Sequence, residues 1–176
     1  MMRSVHLVLS LLSLSLSACI ETREDLPDEA IGLAPIYAVE DWQDIDIDGP
    51  QEIAQLGKLY YKAPFLFATE RARGIHVFDN SDPTAPQPLA FLKIAGNSDL
   101  AIKGNVLYAN NVSDLVAIDI RTFDSIRVLD REVEAFAVEG ARFPEGYEGY
   151  FECVDEEMGV VVGWYETTLQ QPKCWR

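Results

Sequence analysis

Three aspartates at alternating positions form the clearest metal-type pattern in this chain. Asp44, Asp46 and Asp48 are followed by Gly49, which is the spacing of the first half of a calcium-binding loop, where the glycine permits a sharp turn. The twelfth position of such a loop holds Gln55 instead of the usual bidentate glutamate. An acidic edge strand with its isoleucines facing a core fits the same pattern. We therefore assign no cofactor, and keep calcium at the three aspartates as the alternative.

Catalytic residues are not indicated by the sequence. His76 stands in an apolar run between Ile75 and Val77, where we expect a packed residue rather than a general base. The chain contains no Gly-x-Ser-x-Gly elbow, His-Glu-x-x-His motif or glycine-rich phosphate loop. A pair of catalytic carboxylates, as in glycosidases, remains an alternative, because the 29 acidic residues offer many pairings. We expect a protein that is not an enzyme, with a carbohydrate-active enzyme as the alternative.

The first 18 residues have the pattern of a secretory signal. Arg3 precedes an apolar run over residues 5–16, and small residues lead to Cys19. The run is shorter than the roughly 20 residues that span a membrane. Its end, Leu-Ser-Ala-Cys, resembles the bacterial lipobox, which implies cleavage before Cys19 and acylation of the thiol with chains such as palmitate. An ordinary cleaved signal and an uncleaved anchor are the alternatives.

A lipid on Cys19 would hold the protein in the cell envelope. Ile20 follows the cysteine, so the aspartate that retains lipoproteins in the inner membrane is absent, and we expect the outer membrane, on its periplasmic or surface face. The formal net charge of −15 repels phosphate backbones, which disfavours nucleic acid as a partner. The expected partners are the membrane, through the anchor, and an unknown protein or glycan.

Two further cysteines are predicted to pair. With Cys19 used for lipid, Cys153 and Cys174 remain in an oxidising compartment, where a disulfide is the expected state. Two free buried thiols and a metal site without a nearby histidine are the alternatives. Aromatic residues surround this pair, and we interpret them as core packing, with a carbohydrate- or partner-binding platform as the alternative. They are Tyr147, Tyr150, Phe151, Trp164, Tyr165 and Trp175.

Short β-branched and aromatic runs, separated by Gly, Pro, Asn and Asp, predict an all-β fold. The predicted strands cover residues 59–62, 65–69, 75–79, 89–94, 100–103, 106–110, 115–120 and 126–133. The first four superimpose on the second four, so that residues 59–68 align with 100–109 and residues 75–79 with 115–119. Repeats of about 40 residues with four strands are typical of propeller blades. A degraded third copy is expected over residues 150–164.

The repeated strands carry a family resemblance. Ile75-His-Val-Phe-Asp79 and Leu115-Val-Ala-Ile-Asp119 resemble the strand that names the LVIVD-repeat β-propellers, and Asn80-Ser-Asp-Pro-Thr-Ala-Pro86 resembles their linker. The ending from Cys153 to Cys174 is similar to Bacteroidota lipoproteins of this kind. The resemblance implies a partial β-propeller of about two to three four-stranded blades. Propellers close with about four to eight blades, so we expect a short or truncated member. A truncated gene model, a short form that completes its blades by self-association and an open stack are the alternatives.

Taken together, the patterns predict three segments. Residues 1–18 are the lipoprotein signal peptide, residues 19–35 an acidic tether, and residues 36–176 a repeat region with repeats near 58–98, 99–135 and 136–176. The expected function is that of a membrane-anchored, non-enzymatic module for protein or glycan interaction. A carbohydrate-active enzyme and a calcium-stabilised binding module are the alternatives.

Overall fold

A computed structural model describes residues 26–38, 41–136, 142–144 and 146–176. The predicted signal peptide, Cys19 and the first part of the predicted tether lie outside the described residues. Within them the chain is all-β, as expected, and the helical structure there is a single 3₁₀ turn, Glu156–Met158. Within these ranges no helix has the length and hydropathy needed to cross a membrane.

The strands of the described residues form three separate sheets, and none of these sheets closes into a barrel. In chain order the strands are β1 (Glu29–Tyr37), β2 (Asp46–Asp48), β3 (Leu56–Lys62), β4 (Phe65–Glu70), β5 (Gly74–Asp79), β6 (Gln87–Lys93), β7 (Leu100–Lys103), β8 (Val106–Asn111), β9 (Asp114–Asp119), β10 (Arg127–Glu132), β11 (Tyr150–Phe151), β12 (Val161–Gln170) and β13 (Cys174–Trp175).

The first two sheets are antiparallel meanders of the same design. The first sheet has the order β2-β6-β5-β4-β3, and the second has the order β10-β9-β8-β7. Leu59 pairs with Ala68 in the first sheet, and Leu100 pairs with Ala109 in the second, at the positions that the sequence alignment equates. The two sheets therefore match in strand order and in register.

Polar side chains at equivalent positions make equivalent hydrogen bonds. Thr69 Oγ1 accepts a hydrogen bond from the backbone amide of Lys58 at 2.8 Å, and Asn110 Oδ1 accepts one from the amide of Asp99 at 3.0 Å. The aspartates that end β5 and β9 each accept the amide two residues further on, as the sequence pattern predicts. The match between the two sheets therefore extends from the backbone to the side chains that close the turns.

The main core lies between these two sheets. Because successive side chains along a strand point to opposite sides, each sheet has two faces that carry different residues. We call the face of the first sheet that carries Phe65, Phe67, Ile75, Val77 and Leu92 its trailing face. It packs on the leading face of the second sheet, which carries Leu100, Ile102, Leu107, Val116 and Ile118. Each large aliphatic or aromatic side chain buried here contributes about 1.5–3 kcal/mol.

The third sheet has another topology, with the order β12-β1-β11-β13. Strand β1 pairs with β12 along its whole length and runs parallel to β11. At Gly32 a Cβ atom would lie 2.3 Å from the carbonyl oxygen of Tyr150, so the β1–β11 approach requires glycine. The predicted disulfide is confirmed: Cys153 is bonded to Cys174, next to the β11–β13 pair.

Two expectations differ from this arrangement. Residues 29–35 belong to β1 rather than to a tether, because their backbone groups are paired with β12 and Ala34 is buried. The described residues of the range 136–176 contribute three strands, β11, β12 and β13, to a sheet that β1 completes, and β12 pairs with β1 from the N-terminal part of the chain.

Removal of the disulfide should destabilise the third sheet. The bond joins residues 21 positions apart, and closing a loop of that length in the unfolded chain is worth about 3 kcal/mol. We expect the Cys153→Ser, Cys174→Ser double variant to lose about that much free energy of unfolding, measured by urea denaturation. Hydrogen exchange should accelerate more in β1 and β12 than in β4 and β8. Equal acceleration in all four strands would contradict independent stabilisation of the third sheet.

Candidate functional site

A cleft of about 790 Å³ separates the start of the third sheet from the β2–β6 edge of the first sheet. Aromatic, acidic and basic side chains line it together: Tyr37, Trp42, Asp44, Asp46, Asp48, Arg73, Phe91 and Lys93. We call it the Trp42 cleft. A volume of this size is typical of small-molecule sites.

A second cleft, of about 680 Å³, lies between the second sheet and the start of β12. Tyr108, Leu115, Phe136 and Trp164 are among its lining residues, and we call it the Trp164 cleft. It has fewer charged residues than the Trp42 cleft. Val162 contributes to both clefts, so the first residues of β12 form a wall between them.

The segment that carries Trp42 is held by the second sheet. Asn111 Nδ2 donates a hydrogen bond to the carbonyl oxygen of Trp42 at 2.7 Å, and Arg131 Nη2 donates one to the carbonyl oxygen of Gln43 at 2.6 Å. The amide of Gln43 also donates to Asp41 Oδ1 at 3.0 Å. Three bonds thus fix the backbone from the Trp42 carbonyl group to the Gln43 carbonyl group, which preorganises one wall of the cleft.

A buried ion pair supports these contacts. Asp114 is fully buried and accepts hydrogen bonds from Arg131 Nη1 at 2.9 Å and from the amide of Glu134 at 3.0 Å. Burial by itself raises the pKa of the Asp114 carboxyl, but the hydrogen bonds from Glu134, Arg131, Gln43 and Ser113 outweigh it and leave the pKa lowered. The carboxylate therefore remains ionised and keeps Arg131 in place.

The three aspartates of the sequence pattern lie on or beside an extended edge strand. Asp46 pairs with Lys93, and Asp48 pairs with Phe91, along β6. The intervening Ile47 packs against the main core, as does Ile45. This is the arrangement expected of an acidic edge strand whose isoleucines face the core. Residues two positions apart on a strand are about 6.6 Å apart, so the strand itself does not bring the three aspartates together. Among the described residues there is no group of three acidic, histidine or cysteine side chains placed to hold a metal ion.

Residues 49–55 connect β2 at one edge of the first sheet to β3 at the other. Four strand spacings amount to about 19 Å, which seven residues can cross only when nearly extended. Glu70 secures the far end of this crossing segment by accepting the amides of Ala54, at 3.2 Å, and Gln55. The backbone of Arg71 then donates to the carbonyl oxygen of Gln55 at 3.0 Å.

His76 is part of the same arrangement. Its Nε2 lies 3.0 Å from Glu70 Oε2, and both side chains are buried. The His76 ring also packs on Phe91, with ring centroids 4.8 Å apart. His76 is thus a packed residue, and its hydrogen-bond partner is a carboxylate that sequence reasoning did not single out.

The pKa of Glu70 reflects this environment. Burial opposes ionisation, but the hydrogen bonds from Gln55, His76 and Ala54 more than offset it, so the pKa lies below its ordinary value of 4.5. In the aligned repeats Glu70 corresponds to Asn111. Each of these residues ends the second strand of its meander and binds the backbone of an incoming segment.

The predicted aromatic group around the disulfide does not form one surface. Tyr150 packs edge-on against Trp175, and Phe151 packs edge-on against Trp164, so these four pack as two separate pairs. Trp164 also reaches the second cleft. Sequence reasoning missed Trp42, and the available signal was an aromatic residue two positions before the first aspartate of the pattern.

No family model, curated protein or solved structure matches this chain.

Loss of the Glu70 charge should loosen the crossing segment. We expect Glu70→Gln to lower the free energy of unfolding by about 1–3 kcal/mol, because the amide group cannot accept both backbone bonds as an anion does. Since the folded pKa of Glu70 is lowered, the difference between wild type and variant should be complete above about pH 4.5 and should vanish as pH falls through the folded pKa. Urea denaturation of both proteins at a series of pH values measures this difference in the free energy of unfolding.

Glu52→Gln is the matched control, because Glu52 is an exposed acid of the same crossing segment. It should change stability by less than about 0.5 kcal/mol. A pH-independent loss in the Glu70→Gln variant would contradict the role of the charge.

Calcium should leave the folded state unaffected. Because Asp44, Asp46 and Asp48 do not converge in the extended strand, we expect about 1 mM Ca²⁺ to leave the melting temperature unchanged. Differential scanning calorimetry with Ca²⁺ or with a chelator measures it. An upward shift that disappears in the Asp46→Asn variant would instead support the calcium interpretation.

Proposed function

We propose that this protein is a lipid-anchored envelope protein that binds a glycan in the Trp42 cleft without transforming it. The observation that carries the proposal is the combination of the half-buried Trp42 and Tyr37 with carboxylates and basic groups in one cleft. Sugar rings offer apolar C–H faces, which pack on aromatic rings, and hydroxyl groups, which donate to carboxylates and accept from cationic groups. The cleft supplies both kinds of contact.

The support of the cleft by the second sheet favours binding. Ligand affinity improves when the contacting groups are held before the ligand arrives, because less conformational entropy is lost. The hydrogen bonds from Asn111 and Arg131 hold the Trp42 segment in this way. Asp44 and Asp48 are exposed, so their carboxylates are accessible to the hydroxyl groups of a ligand.

The two buried acids of the described residues have structural partners and do not line the Trp42 cleft. A glycosidase needs a carboxylic acid whose pKa is raised so that it can donate a proton. Glu70 and Asp114 are the buried acids of the described residues, and both have lowered pKa values and hold backbone amides. These two acids thus serve as ionised structural anchors.

For the architecture and location, we propose a short LVIVD-repeat propeller-type lipoprotein at the outer membrane. The matched registers of the first two sheets support the repeat, as do the turn-closing Asp79 and Asp119. The lipobox pattern at Cys19 supports the anchor. The net charge of −15 suits a hydrated exterior surface and disfavours direct contact with anionic headgroups.

Binding is tested by screening the full chain on a glycan array and measuring the best ligand by calorimetry. We expect Trp42→Ala to weaken binding at least about tenfold, because a buried aromatic contact commonly carries 1–2 kcal/mol or more. Trp175→Ala is the matched control, because Trp175 is exposed on the third sheet, away from the cleft, and should bind as wild type does.

Two outcomes would contradict the proposal. Equal binding by the Trp42→Ala and Trp175→Ala variants would place the ligand elsewhere. Release of shortened products from a bound oligosaccharide, abolished by replacing one specific pair of acids, would show the enzyme alternative instead.

A further inference from the structure

The outer strands of the first two sheets, β6 and β10, are equivalent. Arg127, which begins β10, lies opposite the aspartate that ends β9, as Gln87 of β6 lies opposite the aspartate that ends β5. In each outer strand the pairing passes over one leucine, Leu89 or Leu129, which is the pattern of a β-bulge. Residues 87–93 of the first sheet therefore correspond to residues 127–133 of the second.

The outer edge of β6 is closed in two ways. Strand β2 pairs with the second half of β6, where Asp46 lies opposite Lys93 and Asp48 opposite Phe91. The first half of β6 contains Pro88, which has no backbone amide to donate to a further strand. A covering strand and a proline are both means by which proteins prevent unwanted pairing of sheet edges.

The outer edge of β10 has neither of these devices. Among the residues that the structure describes, no strand pairs with β10 on the side away from β9. The counterpart of Pro88 is Val128, which retains a backbone amide. Val128 and Leu129 are 40% and 43% exposed, and Val133, directly after β10, is 60% exposed. A sheet edge with open backbone groups and exposed apolar side chains is a template for pairing with another strand.

We propose that two copies of this chain form a dimer by antiparallel pairing of their β10 strands about a two-fold axis, with Arg127 of each copy opposite Asp130 of the other. The contact uses the same surface of both copies, so it closes on itself and leads to no larger assembly. The second copy supplies to β10 the fifth strand that β2 supplies to the first sheet.

The bulge of β10 makes this register possible. Arg127 lies opposite Asp119 of β9, and Asp130 lies opposite Ala117. Residues directly opposite each other share a face of the sheet, and so do Asp119 and Ala117, which are two positions apart on one strand. Arg127 and Asp130 are therefore on the same face, although three positions separate them. In the antiparallel dimer their side chains can meet across the axis.

Charges and apolar side chains both match in this register. The contact contains two Arg127–Asp130 pairs, one on either side of the axis, and it places Val128 of each copy opposite Leu129 of the other. Strand β10 carries two basic and two acidic residues, so two chains of net charge −15 meet at a locally neutral strand. Pairs of opposite charge and pairs of apolar residues across two strands both stabilise a sheet.

The edge of β10 is separate from the two clefts. No residue of β10 lines the Trp42 cleft or the Trp164 cleft. Dimer formation and glycan binding can therefore be tested separately, and failure of one proposal leaves the other standing.

The first test is sedimentation equilibrium of the full chain in density-matched detergent. Wild type should show a monomer–dimer equilibrium. Leu129→Arg places a charge against the apolar Val128 of the other copy, and Val128→Pro gives β10 the residue that closes the edge of β6. Each variant should dimerise at least about tenfold more weakly. Leu89→Arg is the matched control and should dimerise as wild type does, because Leu89 occupies the equivalent position of β6, is 40% exposed and undergoes the same change of charge.

The decisive measurement exchanges the charges of the proposed pair. Arg127→Asp and Asp130→Arg each place like charges opposite each other on both sides of the axis, so each variant alone should dimerise at least about tenfold more weakly. Asp130→Arg makes the net charge less negative, so overall repulsion would not explain its loss. A mixture of the two variants should form a 1:1 dimer with the affinity of wild type, because opposite charges then face each other in both pairs.

Melting curves check that each variant is folded. A wild type that stays monomeric up to about 1 mM would overturn the proposal. Equal dimerisation of the Leu129→Arg and Leu89→Arg variants, or a mixture of the two folded charge variants that fails to associate, would overturn it as well.

Discussion

The packing of one meander on the next is the interaction on which the rest of the structure depends. A four-stranded sheet with apolar side chains on both faces is marginal in water until at least one face is covered. Phe67 and Leu92 of the first sheet meet Leu107 and Ile118 of the second. Because side chains alternate along each strand, this contact determines which residues of both sheets remain for other surfaces.

Once the sheets are stacked, the connecting segments must cross their ends, and their backbone groups need partners. Glu70 and Asn111 occupy the same position in the two meanders and meet this requirement with different chemistry. Glu70 accepts two amides, whereas Asn111 donates to two carbonyl oxygens, those of Trp42 and Ala95. Through this difference the second sheet holds the residue that forms a wall of the Trp42 cleft. The residues that stabilise the fold and those that position the candidate site therefore belong to one hydrogen-bond network.

Much of the fold was predictable, and less of the site. The strands between Leu59 and Val133 were recognisable because alternation and turn residues are local properties of the chain. His76 was expected to be packed, but its partner Glu70 was missed, because nothing in the sequence separates that carboxylate from the chain's other acids. The aspartates at 44, 46 and 48 left a calcium loop as the alternative to an acidic edge strand, and pairing with β6 places Asp46 and Asp48 on a strand.

The sequence by itself determined the all-β class, the two equivalent meanders and the pairing of Cys153 with Cys174, because these follow from local patterns and from cysteine number. Tertiary structure alone decided that residues 29–35 form a strand and that this strand pairs with β12. It also decided that Trp42 faces a cleft with Arg73 and Phe91. The physical reason is that backbone pairing between distant segments leaves no periodic mark in either segment, so neither the third sheet nor the cleft beside it could be read from the residues alone.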